Sequence, residues 1–411
     1  MKRQSRMRAC MIVHAVYQSD PRVRRYAEYL AADGWTIDVV CLAAGEGDKK
    51  PADPNIRVYA VPLTRKRKEG FRHILQWAVS ALLMFFFVTR LDLQNRYDVV
   101  HVNNMPDFLV FCALIPRLRG CPVILDVHDP IPEITMSKLG VAANHPLVRA
   151  QAVLEKISVL FSNAVITATD SFKRILAGRG ANPEKITVVM NAPDPLIFSG
   201  PDVGLDPVHR DGFTLLYVGT VAPRYGLDVA IRMLPLVRDS IPGLRLRIVP
   251  RFVDEGTGLQ EVLELSRELS VDDMIDLDHP HPLEDMPRVM READVGLYPA
   301  RRDCHMDVAL SLKIPEMAAV GLCMAATRLS VLEDLFGEEA VAFFPSGDHE
   351  ALAEIIVDLY RRPEERGRMI ENAASRARAL MWDGQYGNYL QVLEKLIGRD
   401  PRITPAERHD H

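Results

Sequence analysis

Short apolar runs recur along the chain, each followed by a longer stretch whose apolar residues fall three or four positions apart. Runs of the first kind are buried strands, and the stretches between them are helices with one apolar face. A parallel sheet covered by helices on both faces is the arrangement that joins them. In the first block, strands are expected at 9–16, "WTIDVVCL" (35–42), "DVVHVNN" (98–104), "PVILDVHD" (122–129) and "AVITAT" (164–169). Asp20 can cap the first helix, with Pro21 at its first position, where a missing N–H costs nothing. Val23, Tyr26, Ala27 and Leu30 then form its buried face, while Arg22, Arg24, Arg25 and Glu28 lie elsewhere.

The pattern stops at "NAPDPLIFSGPDVGLDPVHRDG" (191–212), which has no periodicity and reads as a connection between domains. It resumes with "FTLLYVG", "LRLRIV", "MIDLD", "VGLYP", "LCMAAT" and "VAFF", and three helices close the chain. The expected organisation is α/β throughout. A Rossmann-like domain spans 1–195, a linker 196–212 and a second Rossmann-like domain 213–380. A helix at 381–397 crosses back to the first domain, and 398–411 is a disordered tail. A length of 411 residues, 48% of them apolar, supplies two cores of ordinary size. Two open α/β domains facing each other would place a ligand cleft at the carboxyl ends of their strands.

The net charge of −5 argues against general nucleic-acid binding, which needs surplus Lys and Arg. The six cysteines are scattered without CxxC spacing and read as buried free thiols in a reducing compartment. The basic N-terminus precedes only a brief apolar stretch without a cleavage pattern, so a cytoplasmic protein is expected. No GxGxxG follows an early strand, which disfavours a nicotinamide-dependent dehydrogenase, and no P-loop, Ser-His-Asp triad or metal-binding motif is present.

Four segments occur together in a telling order: "SDPRVRRYAEYLAADGW", "LDVHDPIPE", "LLYVGTVAPRYGLDVAI" and "DVALSLKIPEMAAVG". In sequence and spacing the chain resembles the retaining glycosyltransferases of family 4 over nearly its whole length. The resemblance implies the GT-B fold, with parallel sheets of two Rossmann-like domains facing an interdomain cleft. It also implies a nucleotide-sugar donor held mainly by the second domain.

In "SLKIPEMAAVG" (311–321), Pro315 fits a helix only within its first turn, so a helix starts near Ser311 and carries Lys313 and Glu316 on one face. From spacing alone, a surface ion pair explains the two charges as well as a ligand site does. A carboxylate suits a vicinal diol such as ribose, and a lysine suits a diphosphate. The resemblance makes Glu316 the ribose ligand and Lys313 the basic residue at the diphosphate.

"YVGTVAPRYG" (217–226) reads as a strand, a glycine-bracketed loop and a helix start, whose amides and Arg224 can meet phosphate. Family members often carry Arg directly after the first glycine and Lys before the second. Thr220 and Tyr225 stand there in this chain, leaving Arg224 to supply the charge beside Gly219. In "LDVHDPIPE" (125–133), His128 sits between Asp126 and Asp129, either of which could orient it for donation to a sugar hydroxyl or leaving phosphate. An isolated histidine is more often satisfied by its surroundings; the resemblance places this one at the catalytic centre. His101 reads as a satisfied core histidine, and Asn103 and Asn104, with Asp129, as candidates for the acceptor side of the cleft.

"ARRDCHMDVAL" (300–310) mixes hard and soft ligands too tightly for a good metal site and reads as a loop contacting the donor sugar. Family members often carry an acid eight positions before the helix glutamate; Asp307 lies one step from that place. "HPHP" (279–282) reads as a proline-stiffened turn. Neither a cofactor nor a metal ion is expected.

In "RKRKEGFRHILQWAVSALLMFFFVTR" (65–90), a basic cluster precedes an apolar run that is short of the ~20 residues needed to span a bilayer. An interfacial helix at the anionic inner face of the cell membrane and a buried helix behind a solvated basic loop account for it equally well. The expected function is retaining transfer of a sugar from a nucleotide diphosphate to a lipid-linked or glycan acceptor in surface polysaccharide or glycolipid synthesis. A sugar-nucleotide epimerase of the same fold and a non-catalytic binding subunit are the alternatives.

Overall fold

A computed structural model describes residues 6–43, 51, 53–63, 71–198, 212–251, 258–398 and 400–402. The chain divides into two compact units, one of 1–190 with 386–411 and the other of 191–385.

The first unit has one parallel sheet of seven strands: β1 (Arg8–Val13), β2 (Thr36–Leu42), β3 (Ile56–Val61), β4 (Val99–Asn103), β5 (Val123–Val127), β6 (Ala164–Thr167) and β7 (Ile186–Val188). Its order is β3-β2-β1-β4-β5-β6-β7, so the direction of winding reverses between β1 and β4. The helices are α1 (Pro21–Ala32), α2 (Phe71–Asn95), α3 (Leu114–Leu118), α4 (Ile131–Leu139), α5 (Pro146–Phe161) and α6 (Asp170–Gly178). On one face of the sheet, Ile12, Val102 and Leu125 pack under Met84 and Val88 of α2 and Val159 of α5. The strands β3 and β7 were not anticipated. β3 lies at the sheet edge and is buried only at its two ends, with Arg57 exposed, and β7 has only three residues.

The second unit has six parallel strands: β8 (Phe213–Gly219), β9 (Leu244–Pro250), β10 (Ile275–Leu277), β11 (Val295–Tyr298), β12 (Cys323–Thr327) and β13 (Ala342–Phe344). Their order is β10-β9-β8-β11-β12-β13, with the reversal between β8 and β11. Its helices are α7 (Pro195–Phe198), α8 (Leu227–Val237), α9 (Leu259–Glu268), α10 (Met286–Arg291), α11 (Lys313–Ala319), α12 (Ser330–Phe336), α13 (His349–Arg361) and α14 (Pro363–Leu380). The last helix, α15 (Trp382–Ile397), belongs to the first unit from Tyr386 onward. There Tyr389 packs against Tyr26 of α1, with ring centroids 4.5 Å apart.

Several sequence expectations need correcting. Arg22 and Arg25 are buried in the first unit, not on an outer face of α1. Residues 400–402 are described, and the carbonyl of Pro401 accepts a 2.7 Å hydrogen bond from Trp35 Nε1, so that part of the tail is anchored. Cys304 is exposed, whereas the other five cysteines are buried. The basic cluster 65–68, most of the linker (199–211) and residues 403–411 lie outside the described residues.

Candidate functional site

In an open α/β sheet, ligands gather at the carboxyl ends of the strands beside the reversal of winding. In the second unit that place is the end of β8, where Gly219 leads into a short turn and Gly226 starts α8. Both glycines have positive φ, +133° and +65°. A Cβ at Gly226 would overlap the carbonyl oxygen of Pro299 after β11, and one at Gly219 would overlap the ammonium of Lys313. The loop is therefore cut to let a neighbouring strand and a lysine approach its backbone.

Lys313 opens α11, with Leu312 at the N-cap and Pro315 in the first turn. Its ammonium lies 5.1 Å from the centre of the Tyr225 ring, and the guanidinium of Arg224 lies 5.8 Å from the same ring. Tyr225, standing where relatives of the resembled family often have lysine, is thus flanked by two cations, the arrangement its ring face favours. Burial lowers the Lys313 pKa to about 8, with Arg251 adding to the fall and Glu316 opposing it. Glu316 is buried, at 8% exposure, on the next turn of the helix. Arg224 donates through one terminal nitrogen to His305 Nδ1 at 3.1 Å. Its buried Nε has no hydrogen-bond partner among the described residues. A buried donor without a partner is costly and is satisfied when an acceptor arrives.

Thr220 is half-buried, and its carbonyl accepts from Tyr217 Oη at 2.8 Å. Asp307 lies outside this group by its contacts. Its carboxylate accepts from the Ser330 amide and hydroxyl, both at 2.9 Å, and pairs with Arg302 Nε at 2.9 Å. It caps α12. In "HPHP", His279 and His281 both converge on Asp278, with their ligand atoms within 4.8 Å of one another. Asp278 is already paired with Arg247 there, which neutralises the charge a cation would need.

In the first unit the polar side chains gather on the sheet face opposite the aliphatic cluster under α2 and α5. Asn103 of β4 is in register with Asp126 of β5, and residues two apart on a strand point the same way. His101, Asn103, Asp126 and His128 therefore share a face. Asp126 is fully buried and takes both oxygens to Arg22 of α1, at 2.8 and 2.9 Å. The same carboxylate meets His128 Nε2 at 3.4 Å and His101 Nε2 at 3.6 Å. His128 Nε2 also lies 3.2 Å from Asn103 Oδ1, and Tyr389 Oη reaches His101 Nδ1 at 3.0 Å.

These contacts set the charges. Burial raises the Asp126 pKa, but Arg22, His128 and His101 together hold it well below the usual carboxylate range. Burial pulls His128 down, yet the charge and hydrogen bond of Asp126 outweigh it and keep His128 above its ordinary value. For His101 burial wins over the same carboxylate, and its pKa is lowered. One carboxylate thus supports a histidine that favours the charged form and another that favours the neutral form.

The structure brings His128, Asn103 and Asp126 together, and Asn104 acts behind them. Its Oδ1 accepts from the His128 amide at 2.8 Å, and its Nδ2 donates to Asp107 Oδ1 and to the Asp129 carbonyl, each at 2.9 Å. Asn104 therefore fixes the β5 loop rather than facing a ligand with its amide. Sequence reasoning missed Arg22, and it left the partner of His128 open between Asp126 and Asp129, of which the structure pairs it with Asp126. The available signal was the shared parity of His101-x-Asn103 and Asp126-x-His128, which calls for a buried counter-cation.

Comparison with known proteins follows the same division. Residues 19–192 match the Glycosyl transferase 4-like domain, and 207–376 match Glycosyl transferases group 1. The D-inositol 3-phosphate glycosyltransferase of Thermomonospora curvata is 25% identical over 322 residues, covering 72% of this chain and 71% of the relative. The chitobiosyldiphosphodolichol beta-mannosyltransferase of Candida glabrata is 23% identical over 409 residues, covering 91% and 87%. Among solved structures, sucrose-phosphate synthase from Thermosynechococcus elongatus superposes with a TM-score of 0.77 at 17% identity, covering 96% of this chain and all of that one. An Anabaena protein in complex with UDP-glucose gives a TM-score of 0.67 at 14% identity, covering 95% of this chain.

Proposed function

From the premise that this chain belongs to the glycosyltransferases and has their GT-B fold, we propose that it is a retaining enzyme that moves a sugar from a nucleotide diphosphate to a lipid-linked or glycan acceptor. The observation that carries the donor assignment is the cluster at the end of β8. The Lys313 ammonium is seated against Gly219, Glu316 is buried one turn on, and Arg224 holds a buried donor without a partner.

In this reading the diphosphate lies along Gly219–Gly226, where Lys313 and Arg224 stabilise the charge that develops as the sugar leaves. Glu316 accepts from the two ribose hydroxyls. The two cations supply the countercharge, so the mechanism calls on no metal ion. His128 is protonated more readily than an ordinary histidine, which suits it to donate to a sugar hydroxyl. Its Nε2 is held by Asp126 and Asn103, so this donation falls to Nδ1. UDP is bound in the Anabaena relative, and the Candida relative is by name a mannosyltransferase to a dolichol-linked acceptor. Both favour a nucleotide sugar on one side and a lipid-linked glycan on the other. A cytoplasmic protein working at the inner face of the membrane, in surface polysaccharide or glycolipid synthesis, fits that pair.

The test incubates purified protein with UDP- and GDP-sugars and follows nucleoside diphosphate release, with and without a membrane lipid extract. Release that depends on the extract supports the reading, and failure to bind any sugar nucleotide overturns it. Glu316→Ala is expected to abolish donor binding in a folded protein. Unchanged affinity would take Glu316 out of the donor site.

A further inference from the structure

The helices covering one face of the first sheet carry an outer surface with no role in the chemistry above. α2 and α5 flank the turn at 107–113 and α3, and the inner sides of this layer share one aliphatic cluster with the strands. Phe111 and Phe161 join it edgewise at 5.1 Å, with Arg117 over the Phe161 ring at 4.9 Å. The outer side of the same layer is apolar. Leu82 and Phe86 of α2, Leu118 of α3 and Val153, Ile157 and Leu160 of α5 are all exposed, Leu118 at 74% and Leu160 at 65%.

Gln76–Asn95 is long and apolar enough to cross a bilayer, but Ser80, Met84, Val88 and Leu91 are buried, so one side of α2 is already committed to the domain. What remains is a broad face made by three helices, not a spanning segment. Its charges are one-sided. In a chain of net charge −5, the exposed Arg and Lys side chains on this layer, among the described residues, are Arg90, Arg119, Arg149 and Lys156. The only acids on α2, α3 and α5, Asp92 and Glu155, are buried. Asp92 is paired with Arg119 at 3.0 Å, and Glu155 with Arg179 at 2.8 Å.

We infer that the α2–α3–α5 face is a docking surface for an anionic lipid bilayer, with the apolar ridge entering the interface and the basic residues meeting headgroup phosphates. Apolar area combined with positive charge and a lack of exposed acid is the composition such a surface needs. Six exposed large apolar side chains on one helical layer are otherwise an aggregation hazard. The inference rests on the lipid-side acceptor proposed above and extends the contact well beyond the 65–90 segment.

The experiment is flotation of the full chain with phosphatidylcholine vesicles, with and without phosphatidylglycerol. The wild type is expected to float only with the anionic vesicles and to be released at high salt. The paired substitution Leu118→Asp with Leu160→Asp leaves α2 untouched and is expected to cut binding by roughly tenfold or more, with circular dichroism and UDP or GDP affinity retained. The pair Arg149→Glu with Lys156→Glu tests the same face without altering its apolar residues. Undiminished binding by both paired variants would overturn the inference and leave α2 and its basic lead as the whole anchor. Absence of wild-type flotation would also overturn it, as would a dimer in light scattering that the paired variants dissociate. Vesicle binding without sugar-nucleotide binding would instead sink the proposed function and leave this surface standing.

Discussion

Gly219 and Lys313 compete for one volume: the space that a Cβ on Gly219 would fill is occupied by the Lys313 ammonium. The glycine also sits at φ +133°, which L side chains rarely adopt. Gly219→Ala therefore has to move either the loop or the lysine. The expected result is a loss of about tenfold or more in UDP or GDP affinity, equivalent to about 1.4 kcal/mol. Isothermal titration measures it, and an affinity equal to wild type would mean that Lys313 does not touch the donor.

Lys313 also gives the donor site a pH signature. Burial sets its pKa at about 8 in the free protein, so it is charged below that value and neutral above it. A diphosphate favours the charged form and raises the pKa once bound. Linkage then predicts constant affinity below pH 8 and a fall of about tenfold per unit above it, until the pKa of the complex is reached. Lys313→Met should show weaker binding with a flat profile. A wild-type profile that is flat from pH 7 to about 9.5 would remove the lysine from the diphosphate site.

The general plan of this site was legible in the sequence, and its supporting contacts were not. Pro315 fixes a helix start through its missing N–H, and paired glycines around "TVAPRY" mark a tight turn after a strand, so local chemistry located both segments. The fate of Asp307 depended on Ser330 and Arg302, which only the folded loop brings to it. Arg22 followed the same logic: an arginine in the first turn of an amphipathic helix reads as solvated until a buried acid appears across 104 residues of chain. β3 escaped notice because a half-exposed edge strand with an arginine lacks the continuous apolar run of its neighbours.

The shared carboxylate of Asp126 predicts two histidines that titrate on opposite sides of the ordinary value of 6.5. For His128 the raised pKa means that its contribution to stability is full below about pH 6.5 and is lost as pH rises through its folded value. His101 shifts the other way and opposes it as pH falls through 6.5. Nitrogen-15 spectra of the imidazoles should resolve the two titrations. Asp126→Asn should bring His128 down, since burial then acts unopposed by the carboxylate charge. If His128 keeps its raised pKa in that variant, Asp126 is not what holds its proton.

Arg22 and Asp126 make a deeply buried ion pair in the first unit, with side chains 5% and 0% exposed. Such a pair contributes little relative to a well-packed apolar substitute, but removing one partner strands a charge in the core. Arg22→Met keeps the length of the side chain and takes away the cation. The expected loss is about 3–5 kcal/mol in urea unfolding, together with a rise in the Asp126 pKa that shifts acid denaturation to higher pH. Asp126→Asn in the Arg22→Met background removes the stranded charge and should recover part of that stability. Double-mutant stability equal to the sum of the two single losses would show that the residues do not depend on each other.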